Sequence, residues 1–528
     1  MFRCNITQLT IQPNAFYVNM QNIKVDNKRI AKNTAFLYVR MLFVLLVSLY
    51  TTRVVLRILG VEDYGVYNVV GGFVSMFGFL NTSLAGAIQR FYNYEVTKQG
   101  AEGIQKVYIT SLIIQGMISI VLLLVLESFG LWYVNNVLVV STDKIHAANI
   151  LFQCSVLSML LVIMQVPYSA AVMSFERMDF YAIVGIIDVF LKLAIVVVLP
   201  FVPYDKLIIY GVLVLFVSFV NFFLYFVYVK KHFVEMSLRC VFCKELFFSM
   251  WSFSGWNVLG TFSGVLKGQG LNMLLNAFFG PVVNAARGVS YQIMTALQQF
   301  SLNIVAAFRP QLVDSYANGN YSRTKSIVFS ESKICYNLMC LLVVPVIVEL
   351  RFVLRMWLGE NIPPNTIPFT ILVLIIMTVS TLNTPLTQVV HASGKLRAYM
   401  IVTSVITFAI VPLSWFFLKM GNGPISVFVV SLVMTIVNQI ASLFVVRNML
   451  DYEIKEYVME VVCPCIIMTL LLPLLPFLVH RMLNESVLRL CCVCVVDFIM
   501  GCVISYSMVL SEREKQIVRS YIKRKVVK

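Results

Sequence analysis

Three cations, Arg40, Lys267 and Arg287, stand deep inside long apolar runs with no acid close to them in sequence. A cation at hydrocarbon depth is costly unless it faces water or an anion. Arginine presents a planar fork of donors that matches phosphate oxygens. The chemistry on offer is therefore the holding of an anionic group, such as a phosphate or pyrophosphate, and not bond making. Polar residues share these segments at helical spacing. Asn257, Thr261, Gly264, Gly268 and Asn272 accompany Lys267; Asn284, Tyr291, Thr295 and Gln298 accompany Arg287; and Asn68, Gly71, Ser75, Gly78 and Thr82 mark a third segment. Two readings apply. Small residues let helices pack closely while Asn and Gln bond across the contact, or the stripes line a hydrated, cationic cavity. The first is preferred for the glycines and the second for the cations, with Asn68, Asn257, Asn272, Asn284 and Tyr291 as further candidate lining residues.

One pair of opposite charges, Asp188 and Lys192, lies four residues apart and is expected to pair on a single helix face as a structural feature. Glu127 and Glu349 are placed near span ends. No nucleophile–base pair, P-loop or metal cluster is found. Of the twelve cysteines, Cys240 and Cys243 form the only Cys-x-x-Cys outside a predicted span, and no second loop pair or nearby histidine completes a zinc site. No catalytic residue, metal or cofactor is assigned, and a coupling ion, H⁺ or Na⁺, is left open.

The elements that must position these residues are written in the composition. Of 528 residues, 59% are hydrophobic and 12% charged, with a mean hydropathy of +0.86. Apolar runs of about 20 residues recur from about residue 35 to about 510, each able to cross ~30 Å of hydrocarbon. They are read at 35–58, 64–89, 108–134, 147–173, 180–202, 207–229, 248–278, 281–308, 334–356, 366–391, 397–418, 424–446, 457–479 and 487–510. The expectation is an all-α polytopic membrane protein of about fourteen helices. The net charge of +16 does not indicate nucleic acid. Lys and Arg gather in alternate loops, the pattern that orients helices with the basic side in the cytoplasm, so both termini are expected there. Residues 1–19 show no signal-peptide pattern and are expected to be an upstream extension, because Met20 opens a basic segment suited to precede the first span.

The stretch "VPYSAAVMSFERMDFY" (166–181) returns as "TPLTQVVHASGKLRAY" (384–399), with Pro167 matching Pro385, Arg177 matching Lys395 and Tyr181 matching Tyr399 at an offset of 218. Arg90, Glu95 and Gly100 return as Arg309, Asp314 and Gly319 at 219, and Gly60 as Gly280 at 220. The offset covers six helices, an even number, so the halves are parallel repeats about an axis along the membrane normal. The expected organisation is a cytoplasmic segment 1–32, an N-lobe 33–230, a linker 231–247, a C-lobe 248–447, two further helices in 448–510 and a basic tail 511–528. Pro167 and Pro385 are expected to kink the fourth and tenth helices, with the charges after them in a solvated turn.

The segment "NKRIAKNTAFLYVRMLFVLLVSLYTTRVVLRILGVEDYGVYNVVGG", the turn "LGVEDYG" within it, "PYSAAVMSFERMDFYA" and "HASGKLRAY" resemble Wzx-type polysaccharide repeat-unit flippases. These belong to the multidrug/oligosaccharidyl-lipid/polysaccharide exporter superfamily. The resemblance implies two six-helix lobes in a V around a central cavity with alternating access. It implies a bacterial inner-membrane protein moving undecaprenyl-pyrophosphate-linked oligosaccharide for O-antigen or capsule, alongside polymerase and export machinery. Related flippases hold the pyrophosphate with arginines on the first, second and eighth helices. Arg40 and Arg287 match the first and eighth; the second helix lacks an interior cation, and Lys267 on the seventh is the candidate substitute. The alternative is a multidrug and toxin extrusion antiporter, whose cationic cargo calls for cavity carboxylates; here the first span carries Arg40 and no acid before Glu62.

Overall fold

The computed structural model describes residues 27–509, apart from 176, 234–235, 237–242, 394 and 451, together with 515. Within its helices the side chains of 27–45, 79–83, 86–87, 90, 93–99, 178, 252–260, 303, 306–307, 309–310, 314 and 317 are also outside the described set. Arg40 and Asn257 are therefore known here only as helical backbone positions. The same holds for Thr82 and for the repeat anchors Arg90, Glu95, Arg309 and Asp314. The expected segments 1–26 and 511–528, Lys515 excepted, and Cys240 of the linker fall outside it altogether.

Helices follow one another with short connections: α1 (Asn27–Ser75), α2 (Phe79–Val125), α3 (Ile145–Ser174), α4 (Met178–Val198), α5 (Lys206–His232), α6 (Lys244–Phe279) and α7 (Pro281–Ala317). Then come α8 (Tyr321–Val348), α9 (Leu350–Leu358), α10 (Thr366–Ser380), α11 (Asn383–Ser393), α12 (Leu396–Lys419) and α13 (Ile425–Leu450). Two helical runs, α14 (Ile454–Met482) and α15 (Val487–Val509), complete the chain. Among the described residues there is no strand. Among the described residues nine helical runs are long and apolar enough to cross a membrane, and α10 with α11, bent by 41°, make a tenth. The other four of the fourteen expected are 27–59, 61–99, α6 and α7, which carry the polar stripes and Arg40.

Why the long helices fold back is local chemistry. Gly60 has φ 80° and Gly280 has φ 76°, values that only glycine adopts without strain. Gly280 N–H donates to Asn276 O at 2.8 Å, and Pro281 starts α7 where its missing N–H is not needed. The repeat continues in the backbone: Gly100 and Gly319 both have positive φ, and Arg177 and Lys395 precede α4 and α12 with φ, ψ of −81°, 57° and −85°, 57°. The halves differ at the prolines. α3 runs through Pro167 as one helix, whereas its counterpart is broken into α10 and α11 just ahead of Pro385.

Three apolar cores hold the bundle. The first is built from residues 55–250, joined by side chains of α7, α8, α9 and α10 such as Val289, Met339, Leu354 and Leu374. The second unites α8, α11, α13, α14 and α15 around Tyr457, Leu386 and Met468. The third packs α6, α7, α10, α12 and α13 around Phe369 and Phe428. Large apolar side chains such as Phe216, Phe223, Leu470, Leu488 and Phe498 point outward, as a lipid-facing surface requires.

The ninth expected span, 334–356, is corrected. Asn320 caps α8 by accepting from Arg323 N–H, so the helix starts at Tyr321, and it stops before Glu349, where α9 begins. The carboxylate of Glu349 is fully buried and accepts from Arg489 Nη2 at 2.6 Å, with His480 Nδ1 2.8 Å from its other oxygen. Arg355 pairs with Glu485 at 3.1 Å. These contacts dock the α14–α15 hairpin on the second half.

Candidate functional site

The candidate site grows from the α6–α7 hairpin. Near Gly280, Asn276 closes the structure: its Oδ1 accepts from Val139 N–H at 3.0 Å and its Nδ2 donates to Val139 O at 3.4 Å. Beside this contact Ser141 donates to Glu62, and Lys144 pairs with Asp63 at 3.0 Å and Asp205 at 3.8 Å. Gly65 of α1 lies so near Pro281 that a Cβ there would overlap its carbonyl. At this end the first and second halves are thus in direct contact.

One turn deeper, three of the predicted residues meet. Asn284 Nδ2 donates to the backbone O and side-chain Oδ1 of Asn272 at 2.7 and 2.8 Å, and Asn272 Nδ2 donates to Asn68 O at 3.0 Å. Asn68 Nδ2 is occupied by Tyr64 O at 2.7 Å. This is the close-packing arrangement, amides bonding across a helix interface, and it joins α1 to α6 and α7. A neighbouring bond from Gln269 Nε2 to Ser75 Oγ at 3.3 Å extends the seam.

Arg287 comes next along α7. Its Nη2 donates to Gly268 O at 2.5 Å, and its guanidinium carbon lies 4.1 Å from the centre of the Tyr291 ring, a cation–π contact. Nε is buried without a partner. A guanidinium carries five N–H donors, and among the described residues no carboxylate pairs with this one. Lys267, adjacent to the carbonyl that Arg287 uses, is half-buried and likewise has no ion pair among the described residues. Along their helices Lys267 lies about 20 Å and Arg287 about 10 Å from Gly280 at 1.5 Å per residue, and the Arg287 side chain spans the difference to reach Gly268, next to Lys267.

The face that carries Arg287 changes environment along its length. Asn284 is fully buried and Arg287 is 7% exposed, while Tyr291 is half-buried and Thr295 and Gln298 are exposed. On α6 the same progression runs from buried Asn276 and Asn272 to exposed Gly264. Both helix faces thus pass from buried positions beside Gly280 to exposed, polar positions beyond the cations. The exposed residues named along this seam, Ser75, Gly264, Thr295 and Gln298, include no carboxylate.

Asp188 and Lys192 sit elsewhere, paired at 2.8 Å on α4, with Asn221 Nδ2 of α5 donating to Asp188 at 2.7 Å. Sequence reasoning passed over Asn276 and Gln269, which extend the amide seam at the same helical spacing as Asn272, and over two buried acids, Glu331 and Asp497.

The arrangement of long helices is shared with solved membrane transporters. The chain is similar to the lipid II flippase MurJ in an inward closed conformation, with a TM-score of 0.70 and 14% identity over 89% of this chain and 98% of that one. It is also similar to an inward-facing multidrug resistance MATE family transporter (TM-score 0.63, 12% identity, 77% and 96% coverage). A third likeness is to a MOP superfamily transporter from Pyrococcus furiosus (TM-score 0.54, 14% identity, 80% and 96%). At these identities the likeness is one of fold. No family model and no curated protein matches the chain by sequence.

Proposed function

We propose that this protein is a flippase for an anionic lipid-linked sugar, of the undecaprenyl-pyrophosphate-linked oligosaccharide class, and not an enzyme. The observation that carries the reading is Arg287. It is a guanidinium well inside the bundle, stacked on Tyr291, without a carboxylate partner among the described residues, and we place it at the floor of a polar recess between the halves. Burying such a charge unpaired is costly, and a pyrophosphate supplies what the protein does not. Lys267, and Arg40 on the first helix, would add charge around the same group. In the arrangement described here the Gly280 end is closed. Rocking of one six-helix unit against the other would part the Asn276–Val139 contact and turn the recess to the opposite leaflet, with no covalent chemistry.

On this reading the chain resides in a bacterial inner membrane with both termini cytoplasmic, and passes its cargo to a polymerase and export machinery. Net movement needs a driving force, either an ion gradient, the membrane potential or withdrawal of product. Antiport of cationic drugs is the weaker reading, because the recess offers cations where such cargo needs carboxylates. The decisive experiment removes the chain from its host and locates the lipid-linked sugars. Complete repeat units retained on the cytoplasmic leaflet support flipping. Complete units already on the outer leaflet and left unpolymerised would overturn it.

A further inference from the structure

A carboxyl group is sealed inside the second half of the bundle. Glu331 on α8 is fully buried, and its Oε1 accepts a 2.7 Å hydrogen bond from Nε2 of Gln388 on α11, itself 8% exposed. The two remaining oxygens, Glu331 Oε2 and Gln388 Oε1, have no donor. Among the described residues Glu331 forms no ion pair; the ionisable side chains of the packed elements are Tyr316 on α7, Lys333, Cys335 and Tyr336 on α8, His391 on α11, Arg447 on α13 and Tyr457 on α14, while Arg309 and Asp314 of α7 lie outside the described side chains. Lys333 reaches Val509 O at 3.4 Å, among its contacts.

An ionised carboxylate with one oxygen unsatisfied in such a place is costly. One proton removes the difficulty twice over. Placed on Oε2, it donates to Gln388 Oε1 while the amide N–H donates back to Oε1, closing a cyclic acid–amide pair in which every group is used. We propose that Glu331 and Gln388 form a proton-binding latch that holds α11 on α8.

The position of the latch connects it to movement. Gln388 lies just beyond the 41° bend between α10 and α11, and Tyr457 holds the same corner through Ser332 Oγ and Leu382 O, both at 3.4 Å. Loss of the proton leaves a bare charge in a dry contact, which is relieved when α11 withdraws and water reaches Glu331. The repeat does not need this pair to fold: at the same offsets of 219 and 218 the first half has Leu112 and Ala170, and its helix α3 is unbroken. The use of the latch in transport rests on the flippase reading; the proton site itself does not.

The test reads the proton directly. Infrared difference spectra of the full chain in liposomes, taken between acidic and alkaline buffer, are expected to contain a protonated-carboxyl stretch that titrates. The band should vanish in Glu331→Gln, which keeps an amide–amide pair, and shift in frequency in Gln388→Leu. It should persist in Asp497→Asn, which removes another buried carboxyl. A spin-label distance between α8 and α11 should change with pH in the wild type and stay at its acidic value in Glu331→Gln. Any of three results overturns the latch: a band that survives Glu331→Gln, a band lost on replacing choline with Na⁺ at fixed pH, or a distance that still follows pH in Glu331→Gln. None of these measurements involves cargo, so the latch and the flippase reading fail separately.

Discussion

Arg287 is held by one hydrogen bond and one ring, and that economy is informative. A guanidinium needed only for packing would be satisfied by carbonyls or a carboxylate; here Nε has no partner. Arg287→Lys keeps the charge but loses the fork. We expect flipping in reconstituted vesicles to fall by about 10-fold or more, since a charged hydrogen bond contributes about 1.5–3 kcal/mol, with little change in thermal stability. Asn284→Ala should do the reverse. It leaves Asn272 Oδ1 without its donor, so the melting temperature should drop by the equivalent of about 1–3 kcal/mol while flipping by the folded fraction is retained. Helical spacing was enough to place Arg287, Tyr291 and the three asparagines on facing stripes. It could not say that the amides saturate one another while the guanidinium does not, because that depends on the pitch between α6 and α7. Glu331 escaped for a different reason. Its turns, in "YSRTKSIVFSESK", are too polar for a hydropathy window, yet Thr324, Val328, Phe329, Glu331 and Ser332 among them are buried.

At the scale of elements, the α14–α15 hairpin is fixed by a carboxylate that no periodicity announces. Glu349 sits in the single-residue break between α8 and α9, where it meets both His480 and Arg489. Glu349→Gln strands the Arg489 guanidinium in a buried site and should cost about 3–5 kcal/mol, measured by thermal unfolding in detergent. Pairing it with Arg489→Met should restore much of the loss, because an apolar replacement of both partners leaves no orphaned charge. The long apolar helices and their order were readable because hydrocarbon thickness sets span length, and Gly60 and Gly280 were readable as turn points. The bend was only half readable. Pro167 and Pro385 occupy equivalent places, yet only the second stands beside a break, flanked by Thr378, Ser380, Thr381 and Thr387, where the first has a run of apolar residues and Ser169.

For the whole molecule, the contact between Asn276 and Val139 is one point at which the two halves must separate if they rock. A short cross-link between Asn276→Cys and Val139→Cys, made with the exposed thiols Cys491, Cys494 and Cys502 replaced by Ser, should stop flipping, and reductant should restore it. Undiminished flipping by cross-linked protein would remove rigid-body rocking from consideration. The shared offset of 218 to 220 is the sequence sign of this expected two-part plan, and the backbone repeats at its anchors because a turn that needs glycine or a fixed helix start constrains the residue wherever it recurs.

The hydroxyls at the bend have a kinetic consequence. Thr378 donates to Leu374 O at 2.9 Å, Ser380 to Ile376 O at 2.7 Å, Thr381 to Thr378 O at 2.6 Å and Thr387 to Asn383 O at 3.0 Å. Carbonyls that a straightening or sharpening helix would otherwise bare keep a second donor within reach throughout. The angle can therefore change without leaving carbonyls bare, and the resistance to its motion comes from the side-chain contacts that hold the corner, Gln388 with Glu331 and Tyr457 with Leu382 among them. Such a corner behaves as a lubricated joint, and amide hydrogen exchange should be fastest in the turn 378–384 even while the helices on either side stay protected.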